Sequence, residues 1–441
     1  MDVGSSGGGM RTILHIDFNS YFATVEQQAN PRLRGKPIGV TGGDRMVRTV
    51  IEAASVEAKR FGVKTGMQIW QAKQLCPQII LVQGDCDKYL ETTKRFLAIL
   101  NSYSPYLEVF SIDECFLEVT GDSGPPQGRG TVKMAQDIKS RIRNEIGEWI
   151  TCSIGISYNK LMAKLAGSLY KPDGLVVIAD EQAAMWILDR IELDEICGIG
   201  GRIKKRLNNM GIFNFAQLRK VPLEALLASF KSYGQILYHM ARGIDESPIV
   251  PFYEKEEVKS IGHRHTIDHD TNNPEEIKQI LLKLTELVTR RLRAKKLVGK
   301  TIHCWYRAAF QMHTPGVELN LHTGCVFTGD DMQATINPTQ DGLEIFKAGW
   351  KIFNQIWPAC RQAGIGGKIR MIGVSVSNLR PQTPQNLSLL PEMNRQETII
   401  KTVDKINDKY GEFTLQRGIL LDSSKMRRMP NPFLSDRRFK L

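Results

Sequence analysis

Three carboxylates in this 441-residue chain stand where a fold could aim them at one point. Asp17 closes the apolar run Thr12-Ile13-Leu14-His15-Ile16, and Asp113 and Glu114 lie between the apolar runs Leu107 to Phe110 and Cys115 to Val119. The first run reads as a buried strand, the other two as a hairpin with a polar tip. Acids gathered at a strand end and a hairpin tip repel and raise one another's pKa unless cations sit between them. Two Mg²⁺ ions roughly 3.5–4 Å apart suit such a set, one lowering the pKa of an attacking hydroxyl and both steadying a pentacovalent phosphorus. Mg²⁺ also favours few protein carboxylates completed by phosphate oxygens, and Mn²⁺ can substitute for it. In a plainer account Asp17 is a turn residue and Asp113-Glu114 a solvated tip, and the spacing alone leaves both open.

The elements that must position these acids follow from periodicity. After the first strand, Ser20 to Ala29 reads as a helix capped by Asn19 or Ser20. Pro125 to Gly128 reads as a loop, Val132 to Ile146 as a helix, Thr151 to Ser157 as a strand and Asn159 to Ser168 as a helix. The result is an α+β layout, a mostly antiparallel sheet with helices packed on it. From Arg190 to Asp245 short helices are punctuated by glycine, and Glu246 to Lys259, with Pro248 and Pro251, reads as a linker. Ser260 to Leu379 returns to β–α alternation with a helix from Asn273 to Leu297. A tail begins at Arg380 and carries one helix from Arg395 to Tyr410.

Lys and Arg number 59 against 47 acids, a net charge of +12 that favours a polyanionic partner, nucleic acid before a membrane surface, over mere solubility. No run approaches the roughly 18 apolar residues of a membrane span. Residues 1–9 lack an apolar core and read as a flexible leader or tag, with Met10 as the natural start. The 8 cysteines contain no C-x-x-C pair, so neither zinc nor a disulfide framework is expected and a reducing cytoplasm is the default.

Asp17-Phe18-Asn19-Ser20-Tyr21-Phe22-Ala23-Thr24-Val25-Glu26 resembles the first motif of the Y-family DNA polymerases, and Ser111-Ile112-Asp113-Glu114 their second. Ser153-Ile154-Gly155-Ile156-Ser157-Tyr158-Asn159-Lys160-Leu161-Met162-Ala163-Lys164, ending in Lys171-Pro172-Asp173-Gly174, resembles their third. The resemblance runs from Met10 to Leu379, nearest the family's bacterial polymerase IV branch with some features of the UmuC branch. It implies a multidomain right hand: palm 10–33 and 84–189, fingers 34–83, a helix-hairpin-helix thumb 190–245, a linker 246–258, an α/β little finger 259–380 and a tail 381–441. It further implies metal ligation by Asp17, Asp113, Glu114 and the Phe18 carbonyl. Tyr21, Phe22, Ser55, Lys59 and Lys171 would form the nucleotide site, with Phe22 as the steric gate against a 2′-hydroxyl. The expected activity is template-directed deoxynucleotide addition to a primer 3′ end, of low fidelity and able to pass damaged template.

The pattern departs at two places. Ala54-Ser55-Val56-Glu57-Ala58-Lys59 resembles a fingers motif that usually carries tyrosine and arginine where Val56 and Lys59 stand, trading a bidentate fork for a single charge. In the same fingers region, Glu52 falls where relatives have a small residue near the templating base, with its side chain expected to point away from the site. Gly329-Asp330-Asp331 replaces basic residues, which weakens the expected grip on DNA there. For DNA, Gly198 and Gly200 would let backbone amides meet a phosphate, helped by Arg202, Lys204, Lys205 and Arg206. His263, Arg264 and His265 would form a phosphate-facing strand, preferred over a metal cluster with His269 because no acid or cysteine completes a ligand set. Gln385-Asn386-Leu387-Ser388-Leu389-Leu390 resembles a sliding-clamp-binding peptide. The partners implied are primer-template DNA, deoxynucleoside triphosphates and a clamp, with the chain a monomer. Two rivals compete: a non-catalytic accessory protein of the same fold, which would have lost the metal acids, and a repair nuclease with a helix-hairpin-helix.

Overall fold

In the computed structural model, residues 11–42, 49–121, 128–254, 257–309, 327–362, 368–382, 391–411 and 413–420 are described. The chain divides into two compact units, one to Lys255 and one from Glu256 to Pro430.

The first unit opens with β1 (Ile13–Phe18). Strands β2 (Ile38–Thr41), β3 (Ile51–Ala54) and β4 (Ile80–Gln83) then form a small sheet in the order β3-β2-β4. The chain returns to β1 through β5 (Leu107–Val109), β6 (Glu114–Glu118), β7 (Cys152–Ser157) and β8 (Leu175–Ile178), completing a sheet ordered β5-β6-β1-β7-β8. It is antiparallel except for the β7–β8 pair. β1 is central, and both its faces are covered. Leu14, Ile16 and Phe18 share a core with Phe96 and Leu97 of helix Cys86–Asn101 and Ile138 and Ile142 of helix Arg129–Glu145. Ile13, on the alternate face, packs with Phe116 and with Ala163 of helix Lys160–Leu169. Cover on both faces explains why β1 reads as an unbroken apolar run rather than an alternation.

Helix Tyr21–Ala29 follows β1 as expected, but without the expected cap. Ser20 sits at the cap position with φ 48° and makes no side-chain cap bond. Asn19 turns its amide oxygen across the sheet instead, accepting from the Thr151 hydroxyl and the Asp173 N–H. A cap that serves a distant loop is lost to its own helix.

From residue 201 to 240 the described elements are four short helices, and they have no core of their own. Leu207, Phe215, Leu218 and Leu237 pack with Met162, Leu165, Ala184 and Leu188, so the expected boundary at 189/190 cuts through one continuous core.

Among the described residues, the second unit is one sheet covered by helices on one face. β9 (Ser260–Thr271), β10 (Leu297–Ala309), β11 (Phe327–Thr339) and β12 (Lys368–Pro381) lie in the order β11-β10-β12-β9, all antiparallel. Helices Pro274–Ala294 and Gly342–Gln362 bury Leu281, Leu284, Phe353 and Ile356 against Ile302, Ile372, Val374 and Val376. The expected tail beyond 380 is corrected. Its helix begins at Pro391 and runs to Tyr410, Asp404 forms a bidentate pair with Arg293, Asp408 pairs with Arg290, and Leu420 joins the buried core.

Candidate active site

Strand register does the first work of assembly. Across β1 and β6, Asp17 lies directly opposite Glu114, and across β1 and β7 it lies opposite Ser153. Directly paired residues share a face, with Cβ atoms roughly 5 Å apart. The hairpin tip is tied in as well: the Phe18 N–H donates to the Asp113 carbonyl at 2.9 Å. Asp17 and the adjacent pair Asp113-Glu114, distant in sequence, are therefore brought together because a central strand pairs with a hairpin ending at the same level.

The electrostatics is that of acids crowded in a half-buried place. Burial pushes the Asp113 carboxyl up; the Ser111 hydroxyl, 2.5 Å from Oδ1, opposes this, while Asp17 and Glu114 add to it. Burial acts on Glu114 in the same direction, but a hydrogen bond with His15 Nε2 at 3.2 Å and the Lys164 ammonium outweigh it and hold the carboxyl at about 2. His15 is itself kept neutral-leaning, its pKa lowered by burial. Lys171 Nζ sits 2.8 Å from Asp17 Oδ1, a cation already drawn to the acids. Donor atoms of His15, Asp17 and Glu114 lie within 4.8 Å of one another. Oxygen donors and crowded negative charge are chemistry that a divalent cation could satisfy in place of the ammonium.

Neither His15 nor Lys164 was singled out from sequence, though strand alternation puts His15 on the face of Asp17. Lys164 depends on packing that periodicity does not show. A Cβ on Gly155 would lie 2.1 Å from the Ala163 carbonyl oxygen and 2.2 Å from the Gly167 nitrogen. Only glycine at 155 lets helix Lys160–Leu169 lie this close to β7 and carry Lys164 onto Glu114. Similarly, a Cβ on Gly174 would meet the Tyr170 carbonyl oxygen at 1.8 Å, so glycine closes the turn that holds Lys171.

The expected nucleotide residues divide. Phe22 stacks on Tyr89 with centroids 4.4 Å apart and planes at 13°, and Tyr89 is fixed by a 2.8 Å hydrogen bond to Glu26. Lys59 is exposed as a residue, yet partial desolvation of its ammonium lowers its pKa, Lys171 adds to this, and Asp17 and Asp113 oppose it. Lys59 and Lys171 thus lie within reach of the acids' charge, while Phe22 is placed on Tyr89. The polar groups of Tyr21 and Ser55 are already engaged within the fold. The Tyr21 hydroxyl is buried between the Tyr89 carbonyl at 2.8 Å and Thr93 Oγ1 at 2.7 Å. Ser55 Oγ is fully buried, accepting from Ile38 N and Ala58 N as a helix cap. Glu52 closes over Gly42, where a Cβ would approach its Oε1 to 2.2 Å; burial raises its carboxyl pKa.

The expected DNA contacts divide in the same way. Gly198, with φ 110°, and Gly200 precede helix Gly201–Asn209, and Arg202 and Lys205 are exposed on it. Lys204 turns back instead to Glu192 at 3.0 Å and Asp194 at 2.7 Å, and Arg206 to the Ser229 carbonyl. In the second unit His263 pairs in register with Val374 and His265 with Ile372, both core residues. The two histidines therefore face the helix layer, and of the three residues expected to meet phosphate only Arg264 is on the open face. Gln385, Leu387, Leu389 and Leu390 lie outside the described residues.

Comparison with known proteins identifies the family. The impB/mucB/samB family matches residues 16–168, its C-terminal domain residues 258–389, and the DNA polymerase-iota thumb domain residues 194–245. A DNA polymerase IV from Pelotomaculum thermopropionicum is 35% identical over 93% of this chain and 95% of its own length. One from Moorella thermoacetica is 36% identical over 93% and 96%. A solved Y-family DNA polymerase chimera aligns with a TM-score of 0.66 at 25% identity, over 84% of this chain and 99% of that one. The chain belongs to the impB/mucB/samB family of Y-family DNA polymerases, and its activity is that of a translesion DNA-directed DNA polymerase.

Proposed function

We propose that Asp17, Asp113 and Glu114, with the Phe18 carbonyl, hold two divalent cations, Mg²⁺ with Mn²⁺ able to replace it, and form the nucleotidyl-transfer centre. When bound, the ions supply a lowered pKa at the primer 3′-hydroxyl and positive charge at phosphorus. The chain's own residues do the rest. His15 and Lys164 keep Glu114 ionised and fix its rotamer. Lys171 and Lys59 take the triphosphate as point charges, Lys171 exchanging its carboxylate partner for a phosphate. Phe22, rigid on Tyr89, stands against the sugar C2′ and refuses a 2′-hydroxyl. Pyrophosphate leaves, and the primer grows by one deoxynucleotide.

The observation that carries this reading is the register that sets Asp17 opposite Glu114 while Phe18 holds the Asp113 backbone. Primer extension in Mg²⁺ tests it. Asp113→Ala and Glu114→Ala should each lose extension by roughly a thousandfold or more while duplex binding stays within about twofold of wild type. Extension by the double variant at the wild-type rate would remove these acids from the centre. The same assay excludes a non-catalytic accessory role. We further propose that the chain acts as a monomer in the cytoplasm and docks on a sliding clamp through Gln385 to Leu390, a reading supported by sequence resemblance alone. Among the described residues no helix is long and apolar enough to cross a membrane.

A further inference from the structure

Lys171 stands in a short loop between helix Lys160–Leu169 and β8, and that loop is gripped from two sides by side chains that take no part in the chemistry. From one side comes Lys139 of helix Arg129–Glu145. Its ammonium reaches the Asp173 carbonyl at 2.5 Å and the Gly174 carbonyl at 3.1 Å, and lies 2.9 Å from Asp173 Oδ1. Only 13% of the Lys139 side chain is exposed, so its charge faces the loop and not the solvent. One helical turn on, Arg143 pairs with Asp173 Oδ2. From the other side comes Asn19, buried directly after Phe18. Its amide oxygen accepts from the Asp173 N–H at 2.8 Å. Its amide nitrogen donates to Ser153 Oγ at 3.0 Å, and that hydroxyl also accepts from the Gly174 N–H at 3.3 Å. Asp173 itself holds φ at 59°, a left-handed conformation that an L-residue keeps where its surroundings enforce it.

We propose that Lys139, Asp173 and Asn19 are positioning residues that fix where Lys171 meets the triphosphate, and so set the KM for nucleotide and not the rate of the chemical step. A lysine is a point charge on a flexible four-carbon stem, and its reach is defined only as well as the backbone it hangs from. That backbone is referred directly to the acids: Asn19, two residues beyond Asp17, holds the N–H of Asp173, two residues beyond Lys171. Partly exposed ion pairs contribute little to stability, so what Lys139 and Arg143 supply at Asp173 is geometry. This rests on the reading of Lys171 as a triphosphate-binding group and adds to it the residues that aim it.

Steady-state incorporation of a single deoxynucleotide in Mg²⁺ by the full chain, with Lys139→Met, Lys171→Ala and the double variant, tests it. Lys139→Met keeps the aliphatic stem and removes the ammonium. It should raise the nucleotide KM roughly tenfold and leave kcat within about twofold of wild type. Lys139→Arg, which keeps a cation beside the two carbonyls, should recover most of the loss. Because Lys139 acts through Lys171, the two losses should not add: in the Lys171→Ala background Lys139→Met should change KM by less than about twofold. Losses that add in full place the role of Lys139 elsewhere, and a kcat that falls as far as KM rises marks a loosened fold; either overturns the proposal. Should Lys139→Met fail to fold, Asp173→Asn enters the same cycle with the same expectation, since asparagine tolerates the left-handed backbone and lacks the charge for both ion pairs. An unchanged KM in Lys171→Ala removes Lys171 from the triphosphate and this inference with it. A raised KM there beside an unchanged one in Lys139→Met sinks this inference alone.

Discussion

Phe22 is fixed before any sugar reaches it, because its ring lies on Tyr89 and Tyr89 is anchored to Glu26. A ring held on both counts discriminates by bulk, so Phe22→Ala should admit ribonucleotides, with discrimination falling at least tenfold while deoxynucleotide incorporation persists. If single-nucleotide assays show ribonucleotides refused as strongly as before, Phe22 is packing and nothing more. His265 makes a different prediction. Burial, with His263 and Lys283 nearby, lowers its pKa from 6.5 to about 4. Folded protein keeps the ring neutral where the unfolded chain protonates it, so stability is unaffected above pH 6.5 and falls as pH drops from 6.5 toward 4. The loss should be about 1 kcal/mol per pH unit in the second unit, and denaturant titrations of His265→Gln should show a correspondingly flatter acid slope. An identical slope would mean that the ring is solvated. Alternation along β9 could have shown from sequence that His263, His265 and Ile267 share a face, but not which face the helices would cover.

At the scale of elements, the distance between helix Lys160–Leu169 and β7 decides whether Glu114 has its cationic partner. That distance is set by a missing Cβ at Gly155. Gly155→Ala must push the helix off the sheet, at a cost of about 1–3 kcal/mol, and withdraw Lys164. Chemical denaturation should show the lost stability, and extension should fall further than the unfolded fraction accounts for. A fully stable and active variant would refute the close packing. The motif containing Gly155 was legible in sequence; its physical reason was not, because close approach of a helix to a strand leaves no periodic trace. Lys204 teaches the converse. Its place in a basic run suggested a phosphate, and Glu192 and Asp194, twelve and ten residues earlier, claim it instead.

For the whole molecule, the net charge of +12 is distributed over two units, and part of what looked like an appendage is structural. Asp404 and Asp408 bind the helix at 274–294, and Leu420 is buried. Truncation after Arg380 would therefore strip core from the second unit and cannot isolate a tether. Alanine at Gln385, Leu387 and Leu389 should instead leave single-nucleotide incorporation unchanged and abolish clamp-stimulated long products. Equal stimulation of the triple variant by a bacterial clamp would place the contact elsewhere in the chain.

What the amino-acid order determined alone was local and chemical: the acids at a strand end and a hairpin tip, and the strands and helices whose periodicity is strong; the phenylalanine and lysine of the long motifs were read from resemblance. Those signals survive because each depends on neighbours within a few residues. What only the tertiary structure decided was which polar groups remain free. Tyr21, Ser55, Lys204, His263 and His265 are of the right types, yet partners distant in the chain or the covered face of a sheet have already engaged them. A hydrogen bond or a buried face is a pairwise fact in space, and residue type cannot say which of several possible partners a side chain will meet.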